Sequence, residues 1–493
     1  MNHIALNIAL PLLGAFLLPL IHHSAPKIAR LVGPAILLGM CWISAFSMHS
    51  LEQPVALALG GFLPPLGISF HIDQLSLLLA IIIPLMLLLL WPYKQRENFR
   101  EDSLLLLLAA AASGMALSGD LFNIYVFYEL LSVASFGLAV SQRNAASFAA
   151  TFRYLVMSGL GTVLALTGIG LIYTQTGTLN LAHIGLLAAQ LDNSVGLAAF
   201  ALIVLGIGVK AEVFPVNGWV AEVYATAKPR ISALLAGLIS KLAVLVMVRL
   251  LVVAYANSDA LLLLLVLGML GIIWGELSAW RAKDLKRLLA YSSIGQLGMV
   301  LVAFSIPGEA GMFAGIAMML HHLLVKPALF LLTESWNGSV ACLAGTAKQS
   351  PLAAALFILF ALSLIGVPPF PGFWAKLIMV TGLVGAADPV YLFALVILLS
   401  ATVIEANYLM RTALRIYAPA EKELTQPQAH SLLNLGIIST FGLVLISTLI
   451  GIAPLGNRLS TIASEAGNRN LYIETTFSAG KMPSGMLSMR NMQ

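Results

Sequence analysis

Eight ionisable side chains stand inside long apolar stretches of this sequence: Glu129, Lys210, Lys241, His321, His322, Lys326, Lys376 and Glu405. Glu129 lies in Phe-Asn-Ile-Tyr-Val-Phe-Tyr-Glu-Leu-Leu, Lys241 in Leu-Ile-Ser-Lys-Leu-Ala-Val, and Glu405 in Ala-Thr-Val-Ile-Glu-Ala-Asn-Tyr. A charge at the centre of a bilayer costs at least roughly 2.5–3.5 kcal/mol on insertion scales. One such residue is explained by an ion pair that pins two helices. A set spread over six apolar runs points instead to a chain of groups that exchange protons. Lysine suits that task, because a desolvated ammonium gives up its proton readily and a nearby carboxylate restores it. A Glu–Lys pair whose separation changes is therefore a proton switch. His321 and His322 are adjacent, so on a helix they point about 100° apart and cannot both ligate one haem face. A relay role fits them better. Lys326 follows His322 by four residues and shares its face, and Pro327 removes one backbone donor from that helix.

These residues need elements to carry them, and composition dictates which. Of 493 residues, 60% are hydrophobic and 10% charged, against roughly 45–50% and about 25% in soluble domains. That balance excludes a soluble enzyme, a nucleic-acid-binding protein and a disordered chain. The apolar runs are continuous rather than alternating, which argues against a β-barrel. The expected fold is an all-α polytopic membrane protein. Its candidate spans are 4–22, 28–49, 72–92, 102–118, 120–141, 150–175, 195–214, 230–253, 260–279, 285–305, 308–334, 352–382, 389–412 and 432–453, fourteen in all. The opening residues read as a first span rather than a signal peptide. Cys41 and Cys342 give neither a disulfide framework nor metal-ligand spacing.

Loop charge tests the count. Loops after odd-numbered spans carry Lys27 and Arg30; Lys94, Arg96 and Arg100; Arg143; Lys228 and Arg230; Arg281, Lys283, Lys286 and Arg287; Lys348; and Arg411, Arg415 and Lys422. The loops after even-numbered spans lack Lys and Arg and carry Glu52, Asp192 and Asp259. The positive-inside rule then places odd-span loops in the cytoplasm and both termini outside. It also accounts for the pI near 9.1. The stretch 454–493 reads as a polar C-terminal tail, and no loop is long enough for a soluble nucleotide or flavin domain.

Two spans look broken. Gly366-Val-Pro-Pro-Phe-Pro-Gly372 precedes Lys376, and Phe214-Pro215 follows Lys210 by four residues. Breaks at corresponding places in two halves point to inverted repeats. Spans 7 and 12 are five apart, so five-helix repeats at 102–253 and 260–412 would make them equivalent and oppositely oriented. Lys210 would pair with Lys376 in that scheme, and Lys241 with Glu405. Residues 1–118 would form the N-terminal helices, helix 4 opening the first repeat, and 413–453 the final span.

Several stretches together resemble the antiporter-like subunits of complex I (NADH:quinone oxidoreductase) and of Mrp-type Na⁺/H⁺ antiporters. They are Asp284-Leu-Lys-Arg-Leu-Leu-Ala-Tyr-Ser-Ser-Ile-Gly-Gln-Leu-Gly298, Phe122-Asn-Ile-Tyr-Val-Phe-Tyr-Glu129, Thr178-Leu-Asn-Leu181, His321-His322 with Lys326, and Gly366-Val-Pro-Pro-Phe-Pro-Gly-Phe-Trp-Ala-Lys376. The resemblance covers about 4–453 and is nearest in appearance to the Mrp D subunit. It implies fourteen helices, two inverted repeats and a polar axis within the membrane. It also implies that Glu129 tunes Lys210, that Lys241 connects, that His321, His322 and Lys326 bridge, and that Lys376 is the exit. The family's histidine after span 7 is absent here, where Asn217-Gly-Trp-Val-Ala-Glu-Val-Tyr224 stands; Glu212 and Glu222 are the nearby carboxylates. The implied function is proton translocation within a multi-subunit complex of the plasma membrane. The implied partners are other membrane subunits, the lipid bilayer, protons and, for an antiporter, Na⁺; nucleic acid is not among them. No cofactor or metal of its own is expected, nor a redox centre. The alternatives are a subunit of a membrane-bound hydrogenase and a standalone secondary solute transporter.

Overall fold

The structure, a computed structural model, describes residues 2–93, 99–255, 257–336, 338–420 and 430–478. The loop cations Lys94, Arg96 and Lys422 lie outside the described residues. Among the described residues, ten helices are long and apolar enough to cross a membrane by length and composition. Among these are α1 (Leu6–Ser24), α2 (Pro26–Ser50), α5 (Leu121–Ala139), α6 (Ala145–Thr176), α12 (Ser258–Arg281), α13 (Leu285–Ser305), α14 (Glu309–Leu332), α18 (Pro389–Tyr417) and α19 (Leu432–Ile450). The tenth is the run Pro229–Ala254, made of α10 (Pro229–Leu234), a π turn at Leu235–Ile239 and α11 (Ser240–Ala254). Shorter apolar helices are α3 (Gln74–Leu89), α8 (Ser194–Gly208), α16 (Pro351–Ile365) and α17 (Pro371–Gly385). α4 (Phe99–Leu117) is apolar after a first turn that holds Arg100, Glu101 and Asp102.

Asp and Asn side chains set where many of these helices begin. Asp73, Asp120, Asn144, Asn193, Asn257, Asp284 and Asp388 each accept a hydrogen bond from a backbone N–H of the first turn that follows. Such caps satisfy donors that have no partner inside the helix. α12 and α13 approach most intimately where glycines face each other. A Cβ on Gly268 would meet the Gly298 carbonyl at 2.8 Å, and one on Gly275 would meet Gly295. Small residues let backbones close up where lipid supplies no hydrophobic drive.

Two features depart from the arrangement expected from sequence. The loop after α2 holds an antiparallel hairpin of β1 (Val55–Ala58) and β2 (Ser69–Ile72), with Val55 opposite Ile72. The segment read as a polar tail instead forms α20 (Ile452–Ala466) and α21 (Arg469–Ser478). These helices dock by their own side chains: Glu465 accepts from Gln74 N at 2.7 Å, and Arg469 donates to the Gly185 carbonyl at 2.5 Å. The Tyr472 ring stacks on His71, their centroids 3.8 Å apart. Residues 479–493 lie outside the described residues.

The loops sort into two sets that touch only among themselves in these contacts. At one end Gly119 N donates to Ser69 O (2.9 Å), Leu181 N to Gly119 O (3.0 Å), and Tyr391 OH to Ser305 O (2.8 Å). At the other, Leu285 N donates to Gly338 O (2.9 Å), Val340 N to Lys283 O (2.8 Å), and Arg415 Nε to Ala341 O (3.1 Å). Lys228 pairs there with Glu101 at 2.6 Å, and Lys286 reaches the Ala227 carbonyl at 3.2 Å. The first set joins loops after α2, α4, α6 and α13; the second joins loops after α12 and α14 and the loop before α10 to the ends of α4 and α18.

Candidate functional site

Both suspected breaks are real interruptions. Between α8 and α9 (Val220–Thr226), residues 209–219 are turns. Carbonyls released from helical bonding inside a membrane need other donors. Tyr128 OH takes Gly206 O at 3.0 Å, Trp219 Nε1 takes Val209 O at 3.0 Å, and Asn217 Nδ2 takes Glu212 O at 3.2 Å. Lys210 sits in this break, 1% exposed. Its Nζ donates to Ser132 Oγ of α5 (2.5 Å) and Ser158 Oγ of α6 (3.2 Å), and lies 3.6 Å from the Tyr128 ring centroid. The face of an aromatic ring stabilises a cation where water is excluded.

Glu129 stands on α5 one turn before Ser132 and is half-buried. Its Oε1 accepts from Thr162 of α6 at 2.5 Å. Glu129 and Lys210 thus form no direct ion pair among the described residues; Glu129 is held by a hydroxyl of α6, and Lys210 by hydroxyls of α5 and α6. Of the two carboxylates near the missing histidine, Glu212 is buried with φ 59° and accepts from Tyr224 OH at 2.7 Å. Glu222 is paired with Arg153 near the surface.

The π turn delivers Lys241. Its ammonium, fully buried, donates to the Ala236 carbonyl inside that turn and to Ser240 Oγ at 3.1 Å, and it meets Nδ1 of His322 on α14. π turns release a backbone carbonyl, and here a lysine takes it. Gly237 lies in the same turn against Pro327 of α14, so closely that a Cβ would overlap the ring. His321 faces the other way, its Nε2 2.9 Å from Ser363 Oγ of α16. The two imidazoles therefore diverge towards α11 and α16. Lys326, one turn further along α14, donates to Ser292 Oγ (2.7 Å) and Leu289 O (3.3 Å) of α13.

The second break, residues 366–370, precedes α17. Lys376 donates to the freed Ile365 carbonyl at 3.1 Å and pairs with Glu405 of α18 at 2.7 Å. The other Glu405 oxygen accepts from Gln296 of α13 at 2.6 Å. Of the eight residues singled out from sequence, seven are buried and bonded across helices, and Glu129 is bonded at the half-buried edge.

Sequence reasoning missed several buried charged and polar groups in and around this set. Glu276 on α12 is buried, and its Oε2 accepts from Tyr408 OH at 3.0 Å. Its place five residues before Arg281 makes it read as part of the charged span end. Arg249, inside α11, is buried against Asp73 at 3.0 Å. Its long apolar context was a signal of the same kind as that of Lys241. The hydroxyls of Ser132, Ser158, Ser292 and Ser363 carry no sequence signal of their own, because serine is common in membrane helices.

A family model described as NADH:quinone oxidoreductase/Mrp antiporter, TM matches residues 118–404. NADH-quinone oxidoreductase subunit N of Desulforudis audaxviator is 32% identical over 77% of this chain and 78% of its own length. The Na(+)/H(+) antiporter D subunit of Alkalihalophilus pseudofirmus is 27% identical over 96% of this chain and 99% of its own. Among solved structures, a chain of the membrane-bound sulfane sulfur reductase, an archaeal respiratory membrane complex, superposes with a TM-score of 0.88 at 28% identity, over 97% of this chain and all of that one. A chain of the Mrp complex from Dietzia sp. gives 0.87 at 25% identity over 96% and 99%. The matched stretch spans both breaks and seven of the eight residues, with Glu405 one position beyond its end. The relatives are subunits of multi-subunit membrane complexes. The chain is a member of the NADH:quinone oxidoreductase/Mrp antiporter family of transmembrane subunits.

Proposed function

We propose that this antiporter-like membrane subunit moves protons along a buried axis from Glu129 and Lys210, through Glu212, Lys241, His322, His321 and Lys326, to Lys376 and Glu405. The observation that carries the reading is a succession of ionisable groups, all buried except the half-buried Glu129, each bonded to a neighbouring helix among α5, α6, α9, α11, α13, α14, α16, α17 and α18. Glu212 lies within electrostatic reach of Lys241 and Lys326, and so joins the first break to the centre. A purely structural set would place each lysine against a carboxylate. Three of the four lysines rest instead on hydroxyls, carbonyls or an imidazole, neutral partners that leave the ammonium free to lose its proton.

Fourteen spans in two inverted repeats, 102–253 and 260–412, fit this reading. The ten long helices, α4, α3, α8 and the broken α16–α17 pair supply that number, and each proposed repeat holds one break beside a lysine. With that count, the cation-rich loops face the cytoplasm and both termini lie on the other side. The complex is either an Mrp-type cation/proton antiporter or a redox-driven respiratory complex. Similarity to a sulfane sulfur reductase subunit keeps the second option beside the first. In the reconstituted complex, Lys210→Ala and Glu129→Ala should each abolish proton transport and leave assembly intact. Wild-type transport by both would sink the relay. Driving the same vesicles with a Na⁺ gradient or with an electron donor separates the two kinds of complex.

A further inference from the structure

Glu276 has no part in the axis above, yet its setting is built for a carboxylate. It is 1% exposed, and while Oε2 accepts from Tyr408, Oε1 has no hydrogen-bond partner among the described residues. Gly295 of α13 faces it so closely that a Cβ would overlap the carboxylate, and Gly275 packs in turn on the Gly295 backbone. The missing side chain at Gly295 is therefore what leaves room for the Glu276 carboxylate between α12 and α13. The next residue on α13, Gln296, donates to Glu405, and Glu405 lies one turn before Tyr408 on α18. Two buried carboxylates thus flank one turn of α13. Lys376 is bonded to one of them, and Lys326 is held one turn earlier at Ser292. An ionised carboxylate with an open oxygen in such surroundings costs several kcal/mol, a cost that protonation removes.

We propose that Glu276 is a second proton-holding carboxylate of the Lys376–Glu405 site, loaded and unloaded through Tyr408. The proposal rests on the relay reading. In the loading step the Tyr408 hydroxyl passes its proton to Glu276 Oε2, and its oxygen takes a proton that originates on Lys376. The lysine ends as a neutral amine, Glu276 as a carboxylic acid and Tyr408 unchanged; unloading is the reverse. The charged and titratable groups that act on Glu276 are Tyr408 and Glu405 from α18, Lys376 from α17 and Lys326 from α14; on α13, the neutral Gln296 donates to Glu405 and the neutral Ser292 accepts from Lys326.

The test is proton transport by the reconstituted complex across a range of pH, with infrared difference spectra of the carboxylic C=O band. Glu276→Gln should slow transport at least about tenfold, in the range of a lost proton-transfer group, displace the pH profile and delete one carboxylic band. Glu276→Asp should recover part of the rate. Tyr408→Phe, which leaves the carboxylate in place, should slow transport and keep the band, and it decides the matter if Glu276→Gln does not assemble. A wild-type rate and pH profile for both variants, with the band unchanged in Glu276→Gln, would overturn the proposal. Lys210→Ala and Lys376→Ala serve as controls. If they too transport normally, the relay reading fails as a whole; if they abolish transport while Glu276→Gln and Tyr408→Phe do not, only the role of Glu276 fails.

Discussion

A buried ammonium must find acceptors, and the four lysines of the axis find different ones. Lys210, Lys241 and Lys326 use hydroxyls, carbonyls, a ring face and an imidazole, whereas Lys376 alone of the four bonds a carboxylate. Breaking a buried ion pair costs about 3–5 kcal/mol, because the survivor is left charged without a partner, while replacing both members with apolar residues is often neutral. Glu405→Ala should therefore lower the thermal stability of the purified complex substantially. The double variant Lys376→Met/Glu405→Met should recover most of the loss and still not transport. If Glu405→Ala is as stable as the wild type, the pair does not form. At this scale the sequence was eloquent for Lys and Glu in apolar runs, since their cost demands an explanation. It was silent about their partners: that Glu405 bonds Lys376, and that Glu129 bonds Thr162 rather than Lys210, depends on how six helices pack.

Elements carry the site through irregularities rather than through regular helix. The π turn at Leu235–Ile239 works only because Gly237 lets Pro327 of α14 lie against it, which brings Lys241 to His322. Gly237→Ala must push α14 away or straighten the turn. It should destabilise the complex by about 1–3 kcal/mol, as overpacking does, and reduce transport in the same vesicle assay. Unaltered transport and stability would show that the contact is not constraining. The proline-marked breaks were readable in advance, because Pro215 and the prolines of 366–372 cannot sustain a helix. The π turn was not, since Leu-Ala-Gly-Leu-Ile is ordinary helical sequence. Nor were α20 and α21, whose polar faces read as a tail until β2 and α3 supplied what they pack on. Their docking depends on pH. Burial holds the His71 imidazole down to about 4 from its usual 6.5, although Asp73 pulls the other way. The native state then binds fewer protons than the unfolded one, so stability present above pH 6.5 is lost as pH falls towards 4. The size is roughly 3 kcal/mol at about 1.4 kcal/mol per unit. Asp73, opposed by burial but held low by Arg249, loses its contribution only in stronger acid, below its usual 3.8. Glu465, held above its usual range by burial, acts in the opposite sense. The other groups at His71 are Arg249 and the stacked Tyr472. Hydrogen-exchange protection of 469–478 should fall between pH 7 and 4.5 and fall less in His71→Phe; equal losses in both would remove His71 as the cause.

The whole molecule adds a test of orientation that no single helix offers. Charge alone divided the loops into a cation-rich set after odd-numbered spans and a cation-free set after even-numbered ones, a pattern that a single miscounted span would scramble. Packing divides them the same way on different grounds. The hairpin β1–β2, the turns at 119 and 179–181 and the docked helices α20 and α21 bond to one another. Independently, the loops bearing Lys228, Lys283, Lys286 and Arg415 bond among themselves. Among the cations of the first set, the buried Arg249 is matched by Asp73 and Arg469 of α21 is taken up by the Gly185 carbonyl. These two divisions support the proposed orientation, with the cation-rich end in the cytoplasm and both termini on the other side. In a background with Cys41→Ser and Cys342→Ser, Glu52→Cys and Asp259→Cys should react with a membrane-impermeant maleimide in intact cells. Arg143→Cys and Lys283→Cys should react only after the membrane is opened. The reverse pattern would invert the molecule and with it the direction of proton movement from Lys210 to Lys376. A mixed pattern would mean that the span count is wrong, and the pairing of the two breaks as repeats would fall with it.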